Sequence, residues 1–131
     1  MVEVEVHMGD LLKKLKTLPE KVQKKVLSGA VRASAKPIVD EARRLVPVRT
    51  GNLKKSIGVT KARTKGTTMR FYVSPRKGGK YDGWYGHFVE LGTRHNAPHP
   101  FLRPAYEAKA SEAIHAFKEY LEKRIDKELA K

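Results

Sequence analysis

The sequence predicts an α+β domain in which a small, mainly antiparallel β-sheet of three to four strands packs against two long α-helices. Three patterns indicate this fold class. Apolar and polar residues alternate from Val2 to His7 and again over residues 68–74, which is the period of a half-buried strand. Residues 19–45 and 103–130 repeat apolar side chains at helical spacing. A sheet this small must bury one face on helices, so residues 1–131 are expected to form a single domain.

Helical segments follow the first strand. Asp10 is placed to cap a helix that begins at Leu11. An apolar stripe then predicts a helix from about Pro19 to Leu45, with a kink or a brief break at Pro37 because proline lacks a backbone N–H. Small residues near this proline would let another element approach closely. They are Gly29, Ala30, Ala33, Ser34 and Ala35.

The middle of the chain reads as turns and strands. The long helix is expected to end before Pro47, and Gly51 suits a turn that needs positive φ. A strand is predicted near Ser56 to Ala62, a hairpin loop at Arg63 to Gly66, and a partner strand at Thr68 to Ser74.

A basic, glycine-rich loop at residues 75–83 then leads into a segment dense in aromatic residues, histidines and prolines. Alternation over Tyr85 to Leu91 predicts a strand, which would place His87 and Glu90 on opposite faces. Glu90 is expected at the rim, paired with an arginine such as Arg94 or Arg103. Gly92 and Thr93 form the following turn, and a proline-punctuated loop reaches the final helix, predicted from about Arg103 to Ala130.

The charge of the chain is strongly basic. Lys and Arg number 28 against 14 acidic residues, which gives a net charge of +14. Such an excess favours an anionic partner such as nucleic acid, an acidic protein surface or a membrane face, although lysines also simply solvate helices. No acidic residue lies between Glu41 and Asp82. The candidates for non-specific contact with DNA or another anion are Lys54, Lys55, Lys61, Arg63, Lys65, Arg76, Lys77 and Lys80.

Several function classes are disfavoured. The chain has no cysteine, no apolar run that could span a bilayer, and an acidic N-terminus unlike a signal peptide, which fits a protein kept in the cytoplasm. His95 and His99 have the spacing of a helical zinc site, but the prolines between and beside them prevent a helix, so no metal or other cofactor is expected. No nucleophile, phosphate-binding loop or paired-acid motif indicates an enzyme. A small basic nucleic-acid-binding protein or a ribonuclease-type toxin remains the alternative.

Two sequence blocks carry a family resemblance. His87 to Thr93 reads HFVELGT, and a short loop separates it from Pro100 to Ala105, which reads PFLRPA. Upstream, Pro47 to Leu53 reads PVRTGNL at the end of a predicted helix. In this order and spacing the blocks resemble the tail-component family of long-tailed bacteriophages, also called tail completion or head–tail joining proteins. The matching residues are Pro47, Thr50, Gly51 and Leu53 upstream, and Phe88, Val89, Glu90, Gly92, Thr93, Pro100, Phe101, Leu102, Pro104 and Ala105 downstream.

The resemblance implies a structural protein of a virion or prophage that performs no reaction. Family members act at the head–tail junction or the upper end of the tail, where they form rings and contact other tail or neck proteins. It implies a place in the virion, with assembly in the host cytoplasm and no membrane partner.

The last helix suggests where such contacts could lie. A helix of about 25 residues spans roughly 38 Å, which is longer than a three- or four-stranded sheet is wide. We therefore expect the sheet and one other helix to leave the distal part of its apolar stripe uncovered, so that Leu121, Ile125 and Leu129 contact a neighbouring subunit. Phe101 and Leu102, bracketed by prolines, are a second candidate contact, and Phe88 and Glu90 complete the set.

Overall fold

A three-stranded antiparallel sheet, with its strands in the order Val2–His7, Thr68–Pro75, Ile57–Lys65, forms one layer of the molecule. The structure is a computed structural model that describes residues 1–131. Its strands are β1 (Val2–His7), β2 (Ile57–Lys65) and β3 (Thr68–Pro75). Its helices are α1 (Asp10–Leu15), α2 (Glu20–Leu45), α3 (Asn52–Ser56), α4 (Gly86–Leu91) and α5 (Leu102–Leu129). The predicted α+β class, with a small sheet packed against two long helices, is confirmed.

The alternation in β1 and β3 sorts their side chains between two faces. Val4 lies opposite Phe71 in the register and Val6 lies opposite Met69, and all four are buried. The side chains of Glu5 on β1 and Arg70 on β3 point to the opposite face. The apolar face therefore lies against the helices, while the polar face is left open.

The two long helices pack closely because α2 carries small residues where α5 crosses it. A Cβ atom at Gly29 would collide with the hydroxyl of Tyr120. Five residues further along α2, the buried Ser34 Oγ donates to the Ala113 carbonyl at 2.7 Å. The predicted close approach is confirmed. α2 also runs through Pro37 without a break.

The distal stripe of α5 is covered at Leu121 and Ile125, contrary to expectation, and only its last residue, Leu129, is exposed. Leu121 and Ile125 are fully buried, as is Phe117 one turn earlier. The pairing of Ser34 with Ala113 and of Gly29 with Tyr120 shows that α2 runs antiparallel to α5. The first turns of α2 therefore lie beside the C-terminal half of α5, and α1 contacts α5 as well. The expectation counted the sheet and one other helix, and these helices cover more of α5 than it allowed.

The segment predicted as a strand from Tyr85 to Leu91 is instead the helix α4. Its backbone closes local bonds, with the Gly86 N–H on the Gly83 carbonyl at 2.9 Å and the Gly92 N–H on the Phe88 carbonyl at 2.8 Å. Gly86 is packed so tightly that a Cβ there would lie 2.5 Å from Pro75 Cγ. A seven-residue alternation cannot separate a strand from a short helix, and the tertiary contacts decided between them.

Smaller boundary differences follow local chemistry. The residues after Gly51 form the short helix α3, although the sequence predicts that they lead directly into a strand. The β2–β3 turn lies at Gly66, so β2 extends to Lys65 through the predicted hairpin loop. The residue that precedes α1 is Gly9 rather than the predicted cap Asp10, which lies in the first turn and makes no side-chain capping bond.

A candidate assembly surface

The two sequence blocks meet in space at α4. Pro47, Thr50 and Gly51 border a recess of about 590 Å³ together with Val89 of the second block and Tyr85 just before it. Gly51 has φ +85°, and the Lys55 N–H that follows donates to its carbonyl at 3.0 Å, which begins α3. The first block therefore forms the turn against which α4 rests.

Glu90 joins α4 to the start of α5. Its carboxylate accepts backbone N–H bonds from Phe101 at 2.9 Å, Leu102 at 2.7 Å and Arg103 at 3.3 Å. The first N–H groups of a helix have no intrahelical partner, and the residue that precedes α5, Phe101, offers no side-chain acceptor. Glu90 supplies that acceptor from a distant part of the chain, and its negative charge also suits the positive end of the helix dipole.

The expected pairing of Glu90 with an arginine side chain is therefore wrong. Its contact with Arg103 runs through the backbone N–H, while the Arg103 guanidinium donates to Glu107 at 3.2 Å. The predicted separation of His87 and Glu90 is wrong as well, because both border one recess on a helix. Backbone donors were not considered because no sequence pattern links residue 90 to residue 101.

The turn after α4 requires glycine for two separate reasons. Gly92 has φ +77° and ψ 173°, a backbone conformation that residues other than glycine rarely adopt. A Cβ there would also lie 2.8 Å from the Pro98 nitrogen. Thr93 Oγ1 accepts the Asn96 N–H at 3.1 Å, and the His99 N–H returns to the Val89 carbonyl at 2.8 Å. The loop between α4 and α5 is therefore bonded to α4.

The outer face of this corner is apolar. Trp84, Phe88 and Leu91 are 56%, 44% and 76% exposed, and we call these three residues the α4 stripe. Trp84 and Phe88 contact each other edge to face, with ring centroids 6.3 Å apart. Phe88 and Leu91 lie three residues apart on one side of α4, and Trp84, in the turn before the helix, joins them through its contact with Phe88. The other side of α4 is occupied by Gly86, which is buried, and by the Glu90 cap.

Only two of the predicted assembly contacts, Phe88 and Leu129, are exposed apolar side chains. Phe101 and Leu102 are buried under the Glu90 cap, and Leu121 and Ile125 are buried between the helices. Glu90 is engaged by α5. Trp84 and Leu91 were not predicted as contacts, because a strand from Tyr85 to Leu91 does not bring them together with Phe88.

The eight basic residues that were predicted to contact an anion form three groups. Between Ala42 and Tyr81 the sequence holds twelve Lys or Arg residues and no acid. Lys54, Lys55 and Arg76 border a recess of about 420 Å³ with Arg43 and Tyr81. The other two groups lie on β2 and in the loop after β3. Their members are Lys61, Arg63 and Lys65 on β2, and Lys77 and Lys80 in the loop.

The recess is the most concentrated of the three groups. Arg43 Nη2 donates to the Ile57 carbonyl at 3.1 Å and Arg76 Nε donates to the Ser56 carbonyl at 3.2 Å, which holds both guanidinium groups in place. The Lys55 Nζ lies 4.9 Å from the centre of the Tyr81 ring. None of Arg43, Lys55 and Arg76 forms an ion pair. This arrangement can bind an anion.

The remaining candidate chemistry is limited. No group of three or more His, Cys, Asp or Glu side chains is positioned to hold a metal ion. None of the helices combines the length and the apolar character that a bilayer span requires.

Comparison with known proteins decides the family. The family model described as "Bacteriophage HK97-gp10, putative tail-component" matches residues 9–92, which is more than half of the 131 residues. The chain belongs to this family. The matched range of this phage tail component runs from the start of α1 to Gly92, so it includes both the first block and α4 and ends before α5. No curated protein and no solved structure matches the chain.

Membership places the protein among the structural components of phage tails, and therefore in the virion. It also indicates interaction with other tail or neck proteins. The predicted family is confirmed.

Proposed function

We propose that this tail component completes the tail and joins it to the head by assembling into a ring of its own copies that contacts neighbouring tail or neck proteins. It acts by protein–protein contact and catalyses no reaction. Assembly takes place in the host cytoplasm, and the protein then remains in the finished particle. The family supports the structural role, and the α4 stripe supports assembly through a surface that the single chain leaves open.

The α4 stripe is the observation that carries this proposal. Phe88 and Leu91 lie on α4 and Trp84 lies in the turn before it. Such exposed apolar side chains lose little entropy on docking when the segment that carries them is already held in place. Glu90 and Gly92 provide that rigidity by fixing both the helix and the loop that follows it. Exposed aromatic residues in a cluster are typical of the few residues that dominate a protein–protein interface. We assign the stripe to a neighbouring tail or neck protein.

The test is a phage complementation assay with Phe88→Ser and Leu91→Ser combined. Both side chains are exposed, so circular dichroism and thermal unfolding should match the parent chain. We expect the variant to be depleted from particles, with unjoined heads and tails accumulating in electron micrographs. Val48→Ser is the matched control, because Val48 is an exposed apolar residue outside the stripe.

Two outcomes would count against the proposal. Joined, infectious particles from a phage that lacks the gene would remove the completion role altogether. Normal incorporation of a folded Phe88→Ser, Leu91→Ser variant would leave that role standing and move the contact elsewhere.

A second activity, sequence-independent contact with DNA, is favoured by the absence of acid between Ala42 and Tyr81. Neutralising several phosphates releases counterions, so the affinity should fall steeply as salt rises. Unrelated duplexes titrated at two salt concentrations should bind alike. Lys54→Gln, Lys55→Gln and Arg76→Gln together should weaken binding and reduce the salt slope.

The matched control neutralises three exposed lysines on α1 and α2, which are Lys14, Lys21 and Lys25. It loses the same charge, so an equal effect of the two triple variants would assign the affinity to net charge rather than to the recess. Absence of binding at low salt, or a strong preference for one sequence, would contradict non-specific DNA contact.

A further inference from the structure

The sheet has two free edges. β3 is central, so β1 and β2 each pair on one side only. Beyond the pairing with β3, no backbone hydrogen bond involves residues 2–7 or residues 58–65. Two rows of backbone N–H and C=O groups are therefore open to another strand. Such edges are sites of strand addition unless a protein blocks them or uses them.

The two edges carry opposite charge on the helix-free face of the sheet. β1 presents Glu3 and Glu5 on that face, and β2 presents Lys61, Arg63 and Lys65. The strand registers place Glu3 in the same cross-sheet row as Lys61, and Glu5 in the same row as Arg63. Each acidic residue on one edge thus has a basic counterpart on the far edge.

Within one chain this charge is only half balanced. Arg70 on β3 lies between the two edges, with Nε 3.0 Å from Glu5 Oε1 and 3.7 Å from Glu3 Oε1. On its other side Arg70 lies directly opposite Arg63, a like-charge pair that destabilises a sheet. Lys61, Arg63 and Lys65 form no ion pair within the chain. A carboxylate on the open side of β2 would balance them.

Each edge also lies beside an apolar recess. Met1, 75% exposed, borders a recess of about 500 Å³ next to the start of β1. On the other side of the molecule, Val31, Val59 and Ala62 border a recess of about 410 Å³ between α2 and β2. A strand added at either edge would bury part of this surface as well as the open backbone groups.

We propose that β2 of one copy pairs with β1 of the next copy, so that the sheet continues from chain to chain. β1 and β2 are both antiparallel to β3, so they run in the same direction and the pairing between copies is parallel. Straight-across pairing places Lys61 of one copy beside Glu3 of the next copy. It likewise places Arg63 of the first copy beside Glu5 of the next. The interface joins different surfaces of identical chains, and such head-to-tail contacts close into a ring when the rotation permits. This interface rests on the ring proposed above and names the two strands that form it.

Cysteine cross-linking tests the pairing cleanly because the natural chain has no cysteine. Glu3→Cys and Lys61→Cys are introduced singly, and the two variants are co-assembled into particles by co-expression. Mild oxidation should cross-link the mixture into heterodimers and should leave each single variant alone uncross-linked. The double variant should give a ladder of multimers on a denaturing gel.

The outcomes separate this interface from the proposed function. Particles that contain the protein but yield no cross-link in the mixture, or yield one in a single variant alone, overturn the edge pairing and leave the tail role intact. Joined particles that lack the protein overturn the tail role and the ring together.

Charge reversal provides a second test that does not depend on side-chain geometry. One variant carries Lys61→Glu, Arg63→Glu and Lys65→Glu, and the other carries Glu3→Lys and Glu5→Lys. Each alone has like charges on both edges and should lose incorporation, as measured by quantitative immunoblotting of purified particles. Co-expression restores opposite charges at every junction and should restore incorporation.

Rescue by mixing distinguishes the interface from misfolding, because an unfolded variant cannot be restored by a second one. Normal incorporation of either variant alone would overturn the proposal. Failure of the mixture when circular dichroism shows both variants folded would also overturn it.

Discussion

Helices α4 and α5 each carry an apolar stripe, but the structure treats the two stripes in opposite ways. α5 has 28 residues, and the side chains of its stripe, such as Phe117, Leu121 and Ile125, are fully buried. α4 has six residues, and its Phe88 and Leu91 are exposed. An apolar stripe therefore indicates that something covers it, without indicating whether that is the same chain. The difference arises because α2 runs alongside α5, whereas the inward side of α4 is given to a tight glycine contact and the Glu90 cap.

The largest expected effect compares one leucine from each stripe. Leu121→Ala should destabilise the protein by about 2–5 kcal/mol, because it removes buried methyl groups and leaves a cavity. Leu91→Ala should change the free energy of unfolding by no more than about 0.5 kcal/mol, since its side chain is exposed. Urea denaturation followed by circular dichroism measures both. Equal losses would mean that the two stripes are not different.

The second comparison concerns Gly51, which precedes α3, and Gly92, which follows α4. Gly92→Ala should cost about 1–3 kcal/mol from backbone strain alone, and more because Pro98 must move. Gly51→Ala should cost about 1–2 kcal/mol, since φ is positive there but no atom lies within 4 Å of the added Cβ. Thermal unfolding of both variants gives the order. A larger loss at Gly51 would contradict the close approach of the loop to α4.

Glu90 links the two helices, and its removal should have a moderate effect. Glu90→Ala leaves three N–H groups of α5 without their acceptor and should cost about 0.5–2 kcal/mol. Glu107→Ala is the control, because that carboxylate makes only an exposed contact with Arg103. Hydrogen exchange should rise at the start of α5 in the first variant alone. Unchanged protection in Glu90→Ala would show that the cap does not stabilise α5.

The smallest expected effect is electrostatic and lies on the exposed face of α5. A hydrogen bond from Lys123, together with its charge, lowers the pKa of Glu119 below the ordinary carboxyl value. Because the pKa is lowered in the folded protein, the ionised carboxylate stabilises the fold above the ordinary carboxyl pKa. This stabilisation is lost as the pH falls through the lowered pKa. Because the pair is exposed, Glu119→Gln should barely change the melting temperature at neutral pH. A large loss there would show that the exposed face of α5 contributes more than its ion pairs suggest.

Local pattern was sufficient for most of the fold. Alternation located β1 and β3. Helical spacing located α2 and α5, with each predicted end within one residue of its position in the structure. These elements are long and periodic, so neighbouring residues repeat the same signal. Gly51 and Gly92 could also be assigned to turns from the sequence, because positive φ is a local requirement.

Other features depended on residues far apart in the chain, and the tertiary structure decided them. Glu90 is an α5 cap only because the loop returns residues 101–103 to it, and no local rule connects those positions. The fate of the α5 stripe depended on the length and direction of α2, and the opposite charge of the sheet edges appeared only once β3 was placed between them. The sequence by itself determined the long helices, the strands β1 and β3 and which side chains are apolar, whereas tertiary contacts decided the short helix α4. The packing of distant elements determined which apolar faces and strand edges stay open, because burial is a property of neighbours in space.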